Sequence, residues 1–139
     1  MNDRRAIPRN DAATDRRKKR SADPLVALHY QLAHAKSAAS LEAIVLADTS
    51  GIVVAGAGTW VLCEELAAYA PILASAQGDV ALPSRMEALK GEMDVRTMHA
   101  AGQPMLLCAL SPKGKSRPAR GEAAERCASG VARILETTL

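Results

Sequence analysis

Gly114-Lys115-Ser116 is the part of this sequence closest in pattern to catalytic machinery. It imitates the end of a phosphate-binding loop, where backbone N–H groups and a lysine hold a nucleotide's phosphates. The full loop needs a glycine five residues before Gly114, and Ala109 stands there. Only 23 residues follow Ser116. Such a fold needs more strands after that point, including one with a magnesium-binding acid. Gly56-x-Gly58 fails in the same way as a dinucleotide fingerprint, because Val61 replaces the third glycine. His29 and His34 are not i, i+4 partners and enclose no acid, so they are not a zinc-protease pair. His99 has no Ser or Cys with a supporting acid at a telling spacing, and no G-x-S-x-G elbow occurs. Cys63, Cys108 and Cys127 form no C-x-x-C, so neither a zinc ribbon nor a dithiol redox motif is present. Cys63 stands beside Glu64 and Glu65, and neighbouring carboxylates raise a thiol pKa and blunt it as a nucleophile. The expectation is a protein that is not an enzyme, with no catalytic residue, metal or cofactor.

What remains must act by contact. The chain has 139 residues, 48% of them apolar and 24% charged, which suits one globular domain. There is no Phe, one Trp and two Tyr, so the core is aliphatic and rich in Ala. So few aromatics argue against a base-stacking nucleic-acid platform. No apolar run reaches the roughly 18 residues of a membrane span, and the N-terminus does not read as a secretion signal. Three scattered cysteines favour a reducing compartment, so a cytoplasmic location is expected.

Charge is placed unevenly. The first twenty residues hold eight Lys/Arg against three Asp, whereas the other 119 sum to −2. Residues 1–22 read as a disordered basic tail and 23–139 as the domain. The tail ends in Arg16-Arg17-Lys18-Lys19-Arg20. That run is either a solubilising segment or a contact for an acidic protein, lipid or nucleic-acid surface.

The domain alternates helices with hairpins. Asp23-Pro24 reads as an N-cap followed by proline at the first helical position, and Leu25, Leu28, Leu32 and Ala35 continue the helix. Residues 41–47 are apolar on both faces, which predicts a strand covered on both sides. Asp48-Thr49-Ser50-Gly51 predicts a tight turn, and residues 52–57 return as the second strand. A long helix is expected over 60–77, with Leu62, Leu66, Tyr69, Leu73 and Ala76 as its apolar stripe. Pro71 predicts a kink. Glu64 and Glu65 suit the positive end of the helix dipole. Residues 80–93 read as a short helix, with Ser84 to Glu87 as a capping box and Gly91 as its stop, or as a strand. A second hairpin covers 94–110, a basic broken loop 111–120, and a last helix 122–135.

The segment L-E-A-I-V-L-A-D-T-S-G-I-V-V-A-G-A-G, followed by E-E-L-A-A-Y-A, resembles the roadblock / dynein light chain family. The matching residues are Asp48, Gly51, Ala55, Gly56, Glu65, Leu66, Ala67 and Ala68. The resemblance spans about residues 24–135 and is sharpest over 41–77. It implies an α+β fold of roadblock-like (profilin-like) topology. A central antiparallel sheet lies between the long helix and the two terminal helices. Family members usually carry three strands after the long helix, where this sequence gives two. The resemblance further implies a homodimer joined through an edge strand of that region and the long helix. It implies a small Ras-like GTPase as partner and regulation or scaffolding as the role; high Ala and Arg content suits a bacterial source. Trp60, Glu64 and Glu65 are the candidate partner-binding residues. Trp60 reads also as a staple into the core at the helix start. Arg117 and Arg120 lie in a loop of the kind that could supply a catalytic arginine to a GTPase, but nothing in the spacing argues for it. The alternative role is a dimeric adaptor in another assembly, recruited through the basic tail.

Overall fold

The computed structural model describes residues 23–75, 81–112 and 117–138. The basic tail, the end expected for the long helix near Gly78 and the Gly114-Lys115-Ser116 segment lie outside the described residues. Among the described residues, four helices and four strands follow in the order α1 (Pro24–Ala38), β1 (Ala43–Asp48), β2 (Val53–Ala57), α2 (Trp60–Ser75), α3 (Ser84–Lys90), β3 (Met93–Ala100), β4 (Gln103–Leu110) and α4 (Arg117–Thr138).

Local chemistry explains the starts and turns. Asp23 Oδ1 accepts from the N–H groups of Leu25 (3.1 Å) and Val26 (3.4 Å), with Pro24 opening α1. Asp48 closes the first hairpin alone. Its Oδ1 accepts from the N–H groups of Ser50 (2.9 Å) and Ile52 (3.0 Å), and its carbonyl accepts from Gly51 N–H at 3.1 Å. Gly51 takes φ +89°, a left-handed backbone that side chains rarely tolerate.

The strands pair antiparallel in the order β2-β1-β4-β3. The central strands β1 and β4 are apolar on both sides, and Ala43 to Ala47 are all buried. On one face Ile44, Leu46, Leu107 and Ala109 meet Leu28, Leu32 and Ala35 of α1 and Ala124, Cys127 and Val131 of α4. On the other face Val45, Ala47, Leu106 and Cys108 meet Cys63, Leu66, Ala67 and Ala70 of α2. The fold is thus α+β, with the long helix on one side of the sheet and the terminal helices on the other.

Several expectations need adjusting. The buried stripe of α2 is Cys63, Leu66, Ala67 and Ala70, while Leu62, Tyr69 and Leu73 sit on its shoulders. The small side chains won because α2 lies close to the sheet and the Gly51 turn. As expected, the helix runs on through Pro71, to Ser75 within the described residues. Residues 84–90 are a helix rather than a strand. Met, Glu, Ala, Leu and Lys are good helix formers, and only Met86 is buried. Ser84 does not cap it; the N-cap is Pro83, without a side-chain bond, and the Gly91 backbone stays right-handed at φ −66°. Two strands and a helix therefore stand where the family resemblance implies three strands. The last helix begins at Arg117, about a turn before expectation.

Candidate functional site

The predicted partner residues lie on α2, and the structure separates them by position. Trp60, at the first position of the helix, is 55% exposed. It is not a staple into the core. Val61 beside it and Ile52 in the preceding hairpin are also open, at 77% and 64%. Gly51, Ile52, Val53, Trp60 and Glu64 line a shallow hollow of about 250 Å³. Further along the helix Ile72 is exposed as well. The hairpin turn is held against the helix at Gly51, whose missing Cβ would stand 3.2 Å from the Ala67 carbonyl oxygen and 3.4 Å from Ala68 Cα. The family-matching residues Gly51, Ala67 and Ala68 thus meet at one close approach, which sets Ile52 beside Trp60.

Glu65 has a different position. It faces α3, where Arg85 Nε donates to its Oε2 at 2.7 Å and Arg85 Nη2 to its Oε1 at 3.0 Å. Tyr69 Oη donates to Oε2 at 2.8 Å from one turn away. The Arg85 bonds hold the Glu65 carboxyl below the ordinary carboxylate range, against an opposing push from desolvation; Tyr69 lowers it further. The same bond raises the Tyr69 phenol. Glu64 and Glu65 fall in the second turn of α2, so this cross-helix fork, rather than the helix dipole, accounts for Glu65. The Arg85 partner was not visible in sequence, because it is 20 residues away across a segment readable as helix or strand.

Of the other residues with potential chemistry, His29, Arg96 and the three cysteines are built into the scaffold. His29 Nδ1 lies 3.0 Å from the Gly56 carbonyl oxygen, so α1 reaches the backbone of the outer strand β2. Cys63, Cys108 and Cys127 are buried thiols. Burial raises the Cys63 thiol and pushes Cys127 up to about 12. For Cys63 the cause is desolvation, not the adjacent carboxylates expected from the sequence. Arg96 of β3 bonds Asp94 Oδ1 at 2.9 Å and the Gly121 carbonyl at 3.0 Å, tying β3 to the first turns of α4. A larger hollow of about 660 Å³ lies between α1 and α4, lined by Ala35, Ala38 and Ala123 with His34, Glu125 and Arg126 among its polar groups. Those charges are of mixed sign, and the hollow is on the opposite side of the sheet from Trp60. His99 is exposed on β3. The side chains of Arg117 and Arg120 and the run Arg16 to Arg20 lie outside the described residues.

An antiparallel sheet in the order β2-β1-β4-β3, with one helix on one face and the terminal helices on the other, has close structural counterparts. Myxococcus xanthus MglB superposes with a TM-score of 0.59 at 12% identity, over 84% of this chain and 93% of that one. An MglB with a tetrameric arrangement gives 0.58 at 17% identity, over 84% and 93%. The fold is the roadblock-like fold of the MglB proteins. The gliding protein MglB from Thermus thermophilus matches at 0.50 with 17% identity, over 82% and 92%. No family model and no curated protein matches the sequence. At such low identity the roadblock-like likeness is one of architecture. No helix among the described residues is long and apolar enough to cross a membrane.

Proposed function

We propose that this chain is a non-enzymatic regulator or scaffold that binds a small Ras-like GTPase through a homodimeric roadblock-like domain. The observation that carries this reading is the open apolar surface of Ile52, Trp60 and Val61 on a roadblock-like fold. Large aliphatic and aromatic side chains grouped on one surface suit a protein partner. Trp60 would be the anchor and Glu64 a polar contact beside it. Glu65 would act indirectly, by holding α3 against α2 through Arg85. The homodimer expected from the resemblance would join through the long helix and an edge strand; here the outer strand on that side of the sheet is β3. Regulation would need no catalytic residue. A surface that binds the GTPase switch segments better in one nucleotide state shifts the population to that state.

The test is a pull-down of a Ras-like GTPase from the same genome, loaded with GDP or a GTP analogue, on the full chain. Retention should differ between the two nucleotides and fall at least roughly thirtyfold for Trp60→Ala, as for an interface anchor worth about 2 kcal/mol. Trp60 is the sole tryptophan, so its fluorescence should shift to the blue as the complex forms. Equal retention in both states, or none, overturns the reading. Light scattering on the same sample tests the homodimer.

A further inference from the structure

We propose that His29 closes the β2 edge of the sheet, so that a second copy of this chain cannot add a strand there. This goes beyond the GTPase reading and does not depend on it. β2 is an outermost strand of the sheet. Its residues are Val, Val, Ala, Gly and Ala, and no Asp, Glu, Lys or Arg occurs between residues 49 and 63. An outer strand of that composition offers unpaired backbone groups with no charge to repel another strand. The opposite outer strand, β3, differs: Asp94, Arg96 and His99 interrupt its apolar residues. Every copy of the chain carries the same uncharged β2, which makes another copy the partner that an unguarded edge would meet first.

Two features guard this edge. The register sets Leu46 opposite Ala55 and Ala47 opposite Val53, so Val54 is an extra residue that interrupts the pairing. Such a bulge spoils part of an edge for a further strand. The second guard is His29, 27 residues from Gly56 along the chain. Its Nδ1 lies 3.0 Å from the Gly56 carbonyl oxygen and 3.4 Å from the Gly56 nitrogen. One ring atom meets both groups, so both point outwards, away from Val45, the residue opposite Gly56 on β1. These are the groups a further strand would bond, and the imidazole stands where its backbone would lie. With the proton on Nδ1 the ring donates to the carbonyl; in the other tautomer it accepts from the N–H. Gly56 has no room for a guarding side chain of its own, because a Cβ there would stand 2.9 Å from Cys63 Sγ of α2. The guard comes instead from α1, on the other face of the sheet.

The experiment is sedimentation velocity of the full chain over a concentration series, with no GTPase present. His29→Ala removes the ring and keeps a good helix former. It should associate beyond the wild-type size roughly tenfold more strongly, because the freed backbone groups then bond across copies. His29→Asn should hold the wild-type size, since its amide reaches the Nδ1 position with both a donor and an acceptor. Val131→Ala opens a cavity at a fully buried position of α4. It controls for lost stability and should hold the wild-type size as well. Circular dichroism follows the fold. His29→Leu, with similar bulk and no hydrogen-bonding atom, replaces His29→Ala if the helix content drops, with the same expected growth. Wild-type size in the variant that lacks the ring nitrogen overturns the proposal. So does equal growth in His29→Asn or in Val131→Ala. Because no GTPase enters the measurement, failure here leaves the Trp60 test standing.

Discussion

Replacing Gly51 by Ala tests how the hairpin and the long helix are joined. Two costs coincide there. The residue sits at φ +89°, and an L-residue in left-handed backbone costs about 1–2 kcal/mol. The added Cβ would also stand 3.2 Å from the Ala67 carbonyl oxygen and 3.4 Å from Ala68 Cα. Both are backbone atoms of α2, which cannot swing aside as a side-chain tip can, so overpacking adds about 1–2 kcal/mol. The sum is about 2–4 kcal/mol, a large share of the roughly 5–15 kcal/mol by which a domain is stable. Gly102 provides the control. It has φ +77° and no atom within 4 Å of the position a Cβ would take, so Gly102→Ala bears the backbone cost alone. Urea unfolding of both variants, followed by circular dichroism, separates the two costs if the slope of the transition is unchanged. Gly51→Ala should lose about 1–2 kcal/mol more than Gly102→Ala. Equal losses would refute the close approach between turn and helix, and with it the account of how Ile52 comes to lie beside Trp60.

Arg85→Ala should act through pH. The Glu65 carboxyl is held below its ordinary value in the folded chain. It therefore contributes stability in full above its unfolded pKa of about 4.3. That contribution is lost as pH falls through the lower folded value. Wild type should exceed Arg85→Ala in urea midpoint at neutral pH, and the gap should narrow as acid protonates Glu65; a gap that does not change with pH contradicts this origin. The thiols should be inert while the chain is folded. With Cys127 pushed up to about 12, only about one thiol in ten thousand is thiolate at pH 8, and Cys63 and Cys108 are buried too. An aromatic disulfide reagent should titrate all three only after unfolding in guanidinium, and rapid labelling of any one in the native chain would be the contrary result.

Much of the fold was legible in the residue order, and the physical reason is range. The Asp23 cap and the Asp48 turn satisfy backbone groups no more than four residues away, so the residues that make them are adjacent in the sequence. The doubly apolar run of β1 forces cover on both sides whatever supplies it. The family resemblance rests on these local features, and the sheet between the long and terminal helices agrees with it. The 84–90 segment was ambiguous because a short run with one buried side chain has too little periodicity to separate helix from strand.

The sequence by itself determined the tight turn at Asp48 to Gly51, the start of α1 at Asp23-Pro24, and that β1 must be covered on both faces. Only the tertiary structure decided which apolar side chains are covered. Trp60 and Leu66 both belong to apolar stretches of one helix, yet one is open and the other fully buried. Tyr30 and Leu32 on α1 divide in the same way. Exposure depends on what arrives from distant parts of the chain: the Gly51 turn, the sheet, and Arg85 for Glu65. Those approaches are set by packing between elements, and no spacing within a single element encodes them.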